Sequence, residues 1–281
     1  MSQLDPVEGP DGRETTPAAD GRSKVPFKPD GRKAPAALIS IVAGLAVWEF
    51  VGRVLVTNDL FFVPFTEVAK SIYDLTIDGT LPENALVTFQ EVIIGLLLAC
   101  VLGIPIGILM AVVKPFRAGI QPWISGLYST PMVALAPLFI LWFGIGISSK
   151  IATALTMGIF PIIINTHAGM ANVDQSYIDV ARAFGCGRAC IFMKVLVPAA
   201  LAYIVTGVKL GVGRAIVGAV IAEIFGSRAG LGWLILSYSQ AFQTAPLLAS
   251  VVVLALAGIV GLWMVERLEV RLAPWKQSLE V

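Results

Sequence analysis

Residues 177–198 read YIDVARAFGCGRACIFMKVLVP, a mildly polar, glycine-broken stretch with long apolar runs on both sides. What this stretch can be depends on those flanks. Residues 92–113, 118–149, 151–173 and 229–265 contain no charged side chain, and each run exceeds the roughly 20 apolar residues that carry a helix across a bilayer. Of the 281 residues, 57% are hydrophobic and 14% charged, against roughly 25% charged in ordinary soluble domains. The mean hydropathy is +0.82. These values predict an all-α integral membrane protein embedded in a lipid bilayer, in which 177–198 links two spans. A net charge of +1 gives no reason to expect a nucleic-acid partner. Cys100, Cys186 and Cys190 are too few and too poorly spaced for a disulfide framework or a zinc site, and no metal site is expected.

Six transmembrane helices account for the pattern, at about 34–56, 85–113, 118–143, 151–170, 198–222 and 245–265. Lys and Arg concentrate on the cytoplasmic side of membrane proteins. With both termini inside, that side holds fourteen of them: six in residues 1–33, then Lys114, Arg117, Arg182, Arg188, Lys194, Arg267, Arg271 and Lys276. Only Arg53, Lys70, Lys150 and Arg228 fall outside, while Lys209 and Arg214 lie within the fifth span. The expected location is the cell (inner or plasma) membrane, with many passes and both termini cytoplasmic.

Residues 1–33 carry six acids, six bases and three Asp-Gly-Arg repeats, at Asp11, Asp20 and Asp30. That composition predicts a disordered cytoplasmic tail. Residues 34–276 form the expected transmembrane domain, with its cytoplasmic loop at about 171–197, and 277–281 a short tail. The first apolar run has no small-residue cleavage site and is expected to stay in the membrane. Residues 66–75 have helical spacing and predict a short amphipathic helix at the outer surface. Gly103, Pro105 and Gly107 predict a kink in the second span. The third span combines Pro122, Pro131 and Pro137 with Ser125, Ser129 and Thr130. Bent helices at membrane depth line a cavity or pack on protein, so Ser129, Thr130, Pro131, Met132 and Pro137 are candidate pathway residues. The only histidine, His167, reads as a hydrogen-bonding residue at the membrane boundary rather than a proton relay.

Within 177–198 and the residues just before it, Asp174 can accept an unpaired backbone N–H and start a helix. Tyr177, Val180, Ala181 and Phe184 recur at i, i+3, i+4 and i+7, giving one apolar face with Asp179 and Arg182 off it. Gly185 stands where a left-handed cap ends a helix. The product is a cytoplasmic helix of about two and a half turns, too short to span. Its single arginine suits a protein groove better than a lipid surface.

The same stretch resembles a motif of permease subunits of binding-protein-dependent ABC importers: Glu-Ala-Ala, three residues, Gly, nine residues, Ile, any residue, Leu-Pro. Here the residues are Asp179-Val180-Ala181, Gly185, Val195 and Val197-Pro198, with the spacing kept throughout. The likeness extends over residues 34–276 and is greatest to the nitrate, sulfonate and taurine branch. It includes PMVALAPLFILWFG (131–144), FPIIINT (160–166), TGVKLGVGRAIVGAVIAE (206–223), GLGW (230–233) and EVRLAPWK (269–276). It departs at Glu91, where the resemblance implies a basic residue.

What the resemblance implies is a type I ABC importer permease fold in which the short helix, between spans four and five, is a coupling helix. That helix would sit in a groove of a separate ATP-binding subunit. Tyr177, Asp179, Val180, Ala181, Phe184, Gly185 and Pro198 are the expected coupling residues, Ala181 keeping the contact thin and Pro198 starting the next span rigidly. No Gly-x-x-x-x-Gly-Lys-Ser/Thr loop occurs in the chain, so it is expected to bind no cofactor and not to be an enzyme. ATP and Mg would be used by two copies of the ATPase. A second permease copy, in a homodimer with a heterodimer as alternative, and an extracytoplasmic solute-binding protein complete the expected partners.

An intramembrane cation is costly, so Lys209 and Arg214 face protein or water. They could draw an anion inward, or pair with acids of neighbouring spans; the latter is the reading for Arg214, and Lys209 stands between the two. Glu223, fourteen residues beyond Lys209, shares its face about 20 Å away, and Lys209 and Glu223 join the candidate pathway residues. The expected function is the path for a small anionic solute of the sulfonate, taurine or nitrate class. The alternatives are import of a vitamin precursor or aromatic acid, and ATP-independent secondary transport.

Overall fold

The computed structural model describes residues 33–56, 58 and 60–272. The expected tails fall outside the described residues, except that Lys33 already opens a helix. Helix α1 (Lys33–Phe50) ends in a π-helical turn, Val51–Leu55, and is followed by α2 (Phe65–Ile77), α3 (Thr80–Val112) and α4 (Lys114–Ser129). A 3-10 turn, Met132–Leu135, leads to α5 (Ala136–Phe143), then α6 (Ile147–Ala171), α7 (Gln175–Ala183) and α8 (Arg188–Ile191). A second π turn, Phe192–Leu196, joins α8 to α9 (Val197–Gly226), which precedes α10 (Leu231–Gln240) and α11 (Thr244–Leu272). The described residues contain only helices and their connections.

Among the described residues five helices are long and apolar enough to cross a membrane, and six if α4 and the 132–143 segment are one broken span. The bend that the prolines of the third span lead one to expect is a break: the two pieces meet at 89°. Thr130 is extended (ψ 139°) before Pro131, whose ring disfavours helix in the residue preceding it. In contrast α3 passes through Pro105 as one unbroken helix. The run 229–265, uncharged throughout, divides into α10 and α11 at Phe242, a non-glycine residue with φ +56°. At ten residues α10 is too short to span.

The centre of the bundle is α6, flanked by α3 and α9. Lipid-like surroundings give no hydrophobic drive for helices to associate, so close backbone approach supplies van der Waals contact instead. Gly158 of α6 and Gly211 of α9 face one another in this way: a Cβ on Gly211 would stand 3.2 Å from the Gly158 carbonyl oxygen. At Gly107 of α3, a Cβ would lie 2.7 Å from Thr166 Cβ and 2.8 Å from the Ile163 carbonyl oxygen. Gly107→Ala is therefore expected to push α3 off α6 at a cost of about 1–3 kcal/mol, read as a lower melting temperature of the detergent-purified chain. Gly119→Ala, which has open space around it, should cause no such loss.

Helix α2 matches the expected amphipathic helix. Its Val68 packs with Val63 and Ala249, with Ile72 and Leu75 alongside. Trp48 Nε1 donates to the Val63 carbonyl at 3.1 Å, and Glu49 accepts from the Thr66 amide at 3.0 Å, so the end of α1 is tied to the start of α2.

Candidate functional site

Helix α7 is closed at both ends by its own residues. The Asp174 carboxylate accepts from the Ser176 amide at 2.8 Å and from its hydroxyl at 2.6 Å, and these donors hold the Asp174 carboxyl below the usual aspartate range. At the other end Gly185 is left-handed at φ +78°. The Cys186 amide donates to the Ala181 carbonyl at 3.0 Å and the Gly185 amide to that of Arg182 at 2.9 Å, the two bonds of a Schellman cap. Gln175 and Arg182 both donate to Asp179, at 3.0 and 3.2 Å, keeping the polar face occupied with itself. Tyr177, Val180 and Phe184 are 65%, 57% and 85% exposed, and no residue of α7 is buried. A finished amphipathic helix thus presents its apolar face to nothing in the described chain.

The caps account for the rigidity of that face. Asp174→Ala is expected to fray the first turn, seen as faster amide hydrogen exchange at residues 176–178. A lowered carboxyl adds stability above its unfolded value and loses it as pH falls through the folded one. Wild-type α7 should therefore fray in the same way only in acid stronger than an ordinary aspartate needs.

Pro198 stands at the start of α9, as expected from sequence. It sits in the first turn of α9 directly after the Phe192–Leu196 π turn, inside a helical run of 39 residues, Arg188–Gly226. The π turn widens the helix next to a proline that has no N–H to donate. At 1.5 Å per residue this run is about 58 Å long, and α7 lies just before its start. In the same connection Cys186 and Cys190, with Cα atoms 5.4 Å apart, come into disulfide contact. The sequence reading missed this because it judged the cysteines as a framework and not as an i, i+4 pair across one turn.

The third-span candidates separate. Ser129 and Thr130 donate to the Ser125 and Gly126 carbonyls at 2.8 and 3.0 Å and are exposed at the break, as are Pro131 and Pro137. Met132 turns inward and is buried with Met110, Ile124, Met157, Phe160 and Ile163. Beside the break lies a cavity of about 370 Å³ lined by Gln121, Ser125, Tyr128, Ser129 and His167, among others. The buried His167 Nε2 has no hydrogen-bond partner there.

Lys209 is paired. Its ammonium lies 2.7 Å from Glu269 and 3.6 Å from Glu266, both on α11. Arg214 is exposed. Glu223 is fully enclosed, accepting from the Thr88 hydroxyl and the Gly232 amide, each at 2.6 Å. The Leu231 amide donates to Thr88 at 2.8 Å and the Gly230 amide to Asn84 at 2.7 Å. The GLGW segment is thereby laid over the Glu223 carboxylate. Sequence reasoning missed the rest of this corner. Glu91 is buried beside Glu223, and Lys150, counted as an external cation, is buried with its ammonium donating to the Ile145, Gly146 and Gly226 carbonyls at 3.0, 3.1 and 2.7 Å. Glu223 nine residues before the second glycine of GLGW was the available signal.

A profile described as binding-protein-dependent transport system inner membrane component matches residues 103–274. SsuC of Bacillus subtilis (strain 168), a permease assigned to aliphatic sulfonates, is 32% identical over 236 residues, which cover 84% of this chain and 86% of that one. The formylaminopyrimidine transport permease ThiX of Halalkalibacterium halodurans is 30% identical over 234 residues, covering 83% and 93%. The taurine transport permease TauC of Escherichia coli (strain K12) is 29% identical over 257 residues, covering 90% and 94%. Among solved structures, a chain of the MetNI methionine ABC transporter, in an inward-facing conformation, superimposes with a TM-score of 0.58 at 18% identity. It covers 66% of this chain and 93% of that one, a likeness of fold.

Proposed function

Because this chain belongs to the inner-membrane permeases of binding-protein-dependent ABC importers and has their type I fold, we propose that it forms the translocation path of an ATP-driven importer. The observation that carries the mechanism is the exposed apolar face of α7, rigidly capped and joined to the 39-residue run that contains α9. In this reading α7 is the coupling helix. Tyr177, Val180 and Phe184 enter a groove of a separate ATPase subunit, Ala181 lets the two backbones approach, and Asp179 faces the rim. When the ATPase closes on ATP and Mg, the push passes through residues 188–198 into α9. This chain itself holds no cofactor. Two permease copies, as a homodimer, would present two coupling helices to two ATPases, with both termini and α7 on the cytoplasmic side.

The solute is a small anion of the sulfonate, taurine or nitrate class, delivered by an extracytoplasmic binding protein. SsuC and TauC, named for aliphatic sulfonates and taurine, support that class. ThiX, named for formylaminopyrimidine, supports a vitamin-precursor importer as the second reading. The path would run past Ser129, Thr130, Pro131 and Pro137 at the α4–α5 break. The Lys209 pair with Glu266 and Glu269 favours a tie between α9 and α11 over an anion site.

The test is uptake in proteoliposomes holding this chain with the ATPase and binding protein encoded beside it. Labelled taurine should accumulate only with ATP inside the compartment of the ATPase and with binding protein on the opposite side. Accumulation by this chain alone, without ATP, overturns the importer and returns secondary transport. Accumulation of a formylaminopyrimidine in place of taurine selects the second reading.

A further inference from the structure

The corner where α3, α6, α9 and α10 meet has a charge imbalance that its hydrogen bonds do not resolve. Glu91 is 2% exposed, Glu223 0% and Lys150 1%, so water balances none of them. The two carboxyls are close enough for a side-chain hydrogen bond between them. Lys150 spends its three protons on the carbonyls of Ile145, Gly146 and Gly226, and among the described residues it forms no ion pair with either acid. Two carboxylates against one ammonium would leave a net negative charge in a dry site, with like charges in contact. Among the described residues the other elements add no buried countercharge: Lys70 of α2, which packs on α3, is exposed. Helix α10 has no acid or base except the Tyr238 phenol, the acids and bases of α11 all lie in its last turns, and Arg228 in the α9–α10 turn is exposed.

The bonds also say which acid is the odd one. Both Glu223 oxygens accept a strong donor at 2.6 Å, as an ionised carboxylate does. Glu91 Oε2 is buried and accepts no donor among the described residues. A carboxylate would not tolerate that position, whereas a carboxylic acid using its O–H on Glu223 tolerates it well. We propose that Glu91 and Glu223 form a one-proton site that latches the Gly230–Gly232 turn onto α3. The proton resides on Glu91 and is shared with Glu223. The site then carries one carboxylate and one ammonium, and the carboxylate holds the turn through Thr88 and the Gly232 amide. A monovalent cation would need several oxygen ligands, but Thr88, Gly232 and Lys150 direct donors at the carboxylate or at neighbouring carbonyls.

The test uses the full chain in lipid nanodiscs. Infrared difference spectra at neutral pH should show a protonated-carboxyl C=O band that shifts in heavy water and is missing from Glu91→Gln, a neutral isostere that keeps a donor. The melting temperature of the wild type should fall as pH rises from mildly acid to mildly alkaline, because the folded state holds a proton that the unfolded state releases. In Glu91→Gln this part of the pH slope should vanish, with melting near the wild-type acid value. Absence of the band in the wild type overturns the proposal, whether or not the variant folds. So does an unchanged pH slope in the variant. A rise in wild-type melting temperature on adding sodium at fixed pH and ionic strength also overturns it, in favour of a metal cation.

Discussion

Gly185→Asp is expected to abolish ATP-dependent uptake while leaving the bundle folded. The two effects separate because of where Gly185 sits. It adopts φ +78°, and a Cβ built on it meets nothing within 4 Å, so the substitution clashes with no other part of this chain. What it disturbs is the cap. A non-glycine residue pays about 1–2 kcal/mol in the left-handed region, which is worth roughly tenfold in the population of the closed Schellman turn. The same change adds a carboxylate beside Phe184, at the edge of the face that enters the ATPase groove in the proposed coupling role. Desolvating that charge without a partner costs further binding. Gly185→Asn separates these terms, since asparagine tolerates the left-handed region without charge; it should retain a substantial part of the uptake. The measurement is ATPase activity stimulated by loaded binding protein, together with co-purification of the ATPase. A Gly185→Asp complex that forms and couples normally would sink the role given to α7. A fall in the melting temperature of the isolated permease would show instead that the residue supports the bundle.

Helix α7 was readable because everything that builds it is local. Asp174, Gly185 and the apolar spacing lie within twelve residues, and caps are set by nearest neighbours. The spans were readable because 20 apolar residues have few other uses. The 89° break was only half readable. Its prolines and hydroxyls announced a bend, yet the angle depends on Met132 finding the Met110–Phe160 cluster, a packing fact without a local signature. Helix α10 was hidden because hydropathy does not distinguish a short buried helix from the start of a span. The pairing of Lys209 with Glu269 and the enclosure of Lys150 by the Gly226 carbonyl join residues far apart in the chain. In each case sequence showed a charge and could not show its partner. Lys150 was misread most, since a lysine after Gly-Ile-Ser-Ser looks like loop and is in fact the buried clamp on the end of α9.

At the opposite end of α9 from α7, about 39 Å along the helix axis from Val197 to Glu223, Gly232→Ala is expected to be among the most damaging single-methyl changes in the described residues. A Cβ there would stand 2.5 Å from the Val220 carbonyl oxygen and 2.8 Å from Glu223 Oε2. The first of these is backbone inside a helix and cannot rotate away. Relief requires lifting the turn, which breaks the 2.6 Å bond from the Gly232 amide to Glu223. Overpacking of this kind costs about 1–3 kcal/mol, and a hydrogen bond to a charged group is worth about 1.5–3 kcal/mol. Both losses fall on one site, so the expected result is a purified protein that melts many degrees lower or fails to reach the membrane. Gly213→Ala, on α9 with open space around it, should match the wild type. Gly230→Ala should fail like Gly232→Ala, since its Cβ would collide with the same carboxylate at φ +106°. If Gly232→Ala instead melts like the wild type, the turn is not held by Glu223, and the enclosure of that acid must have another cause. A variant that folds at low temperature carries a further consequence. Its α7 is untouched, so ATPase binding should survive while uptake is lost, and the two ends of α9 can then be assigned separate tasks, docking at one and closure of the path at the other.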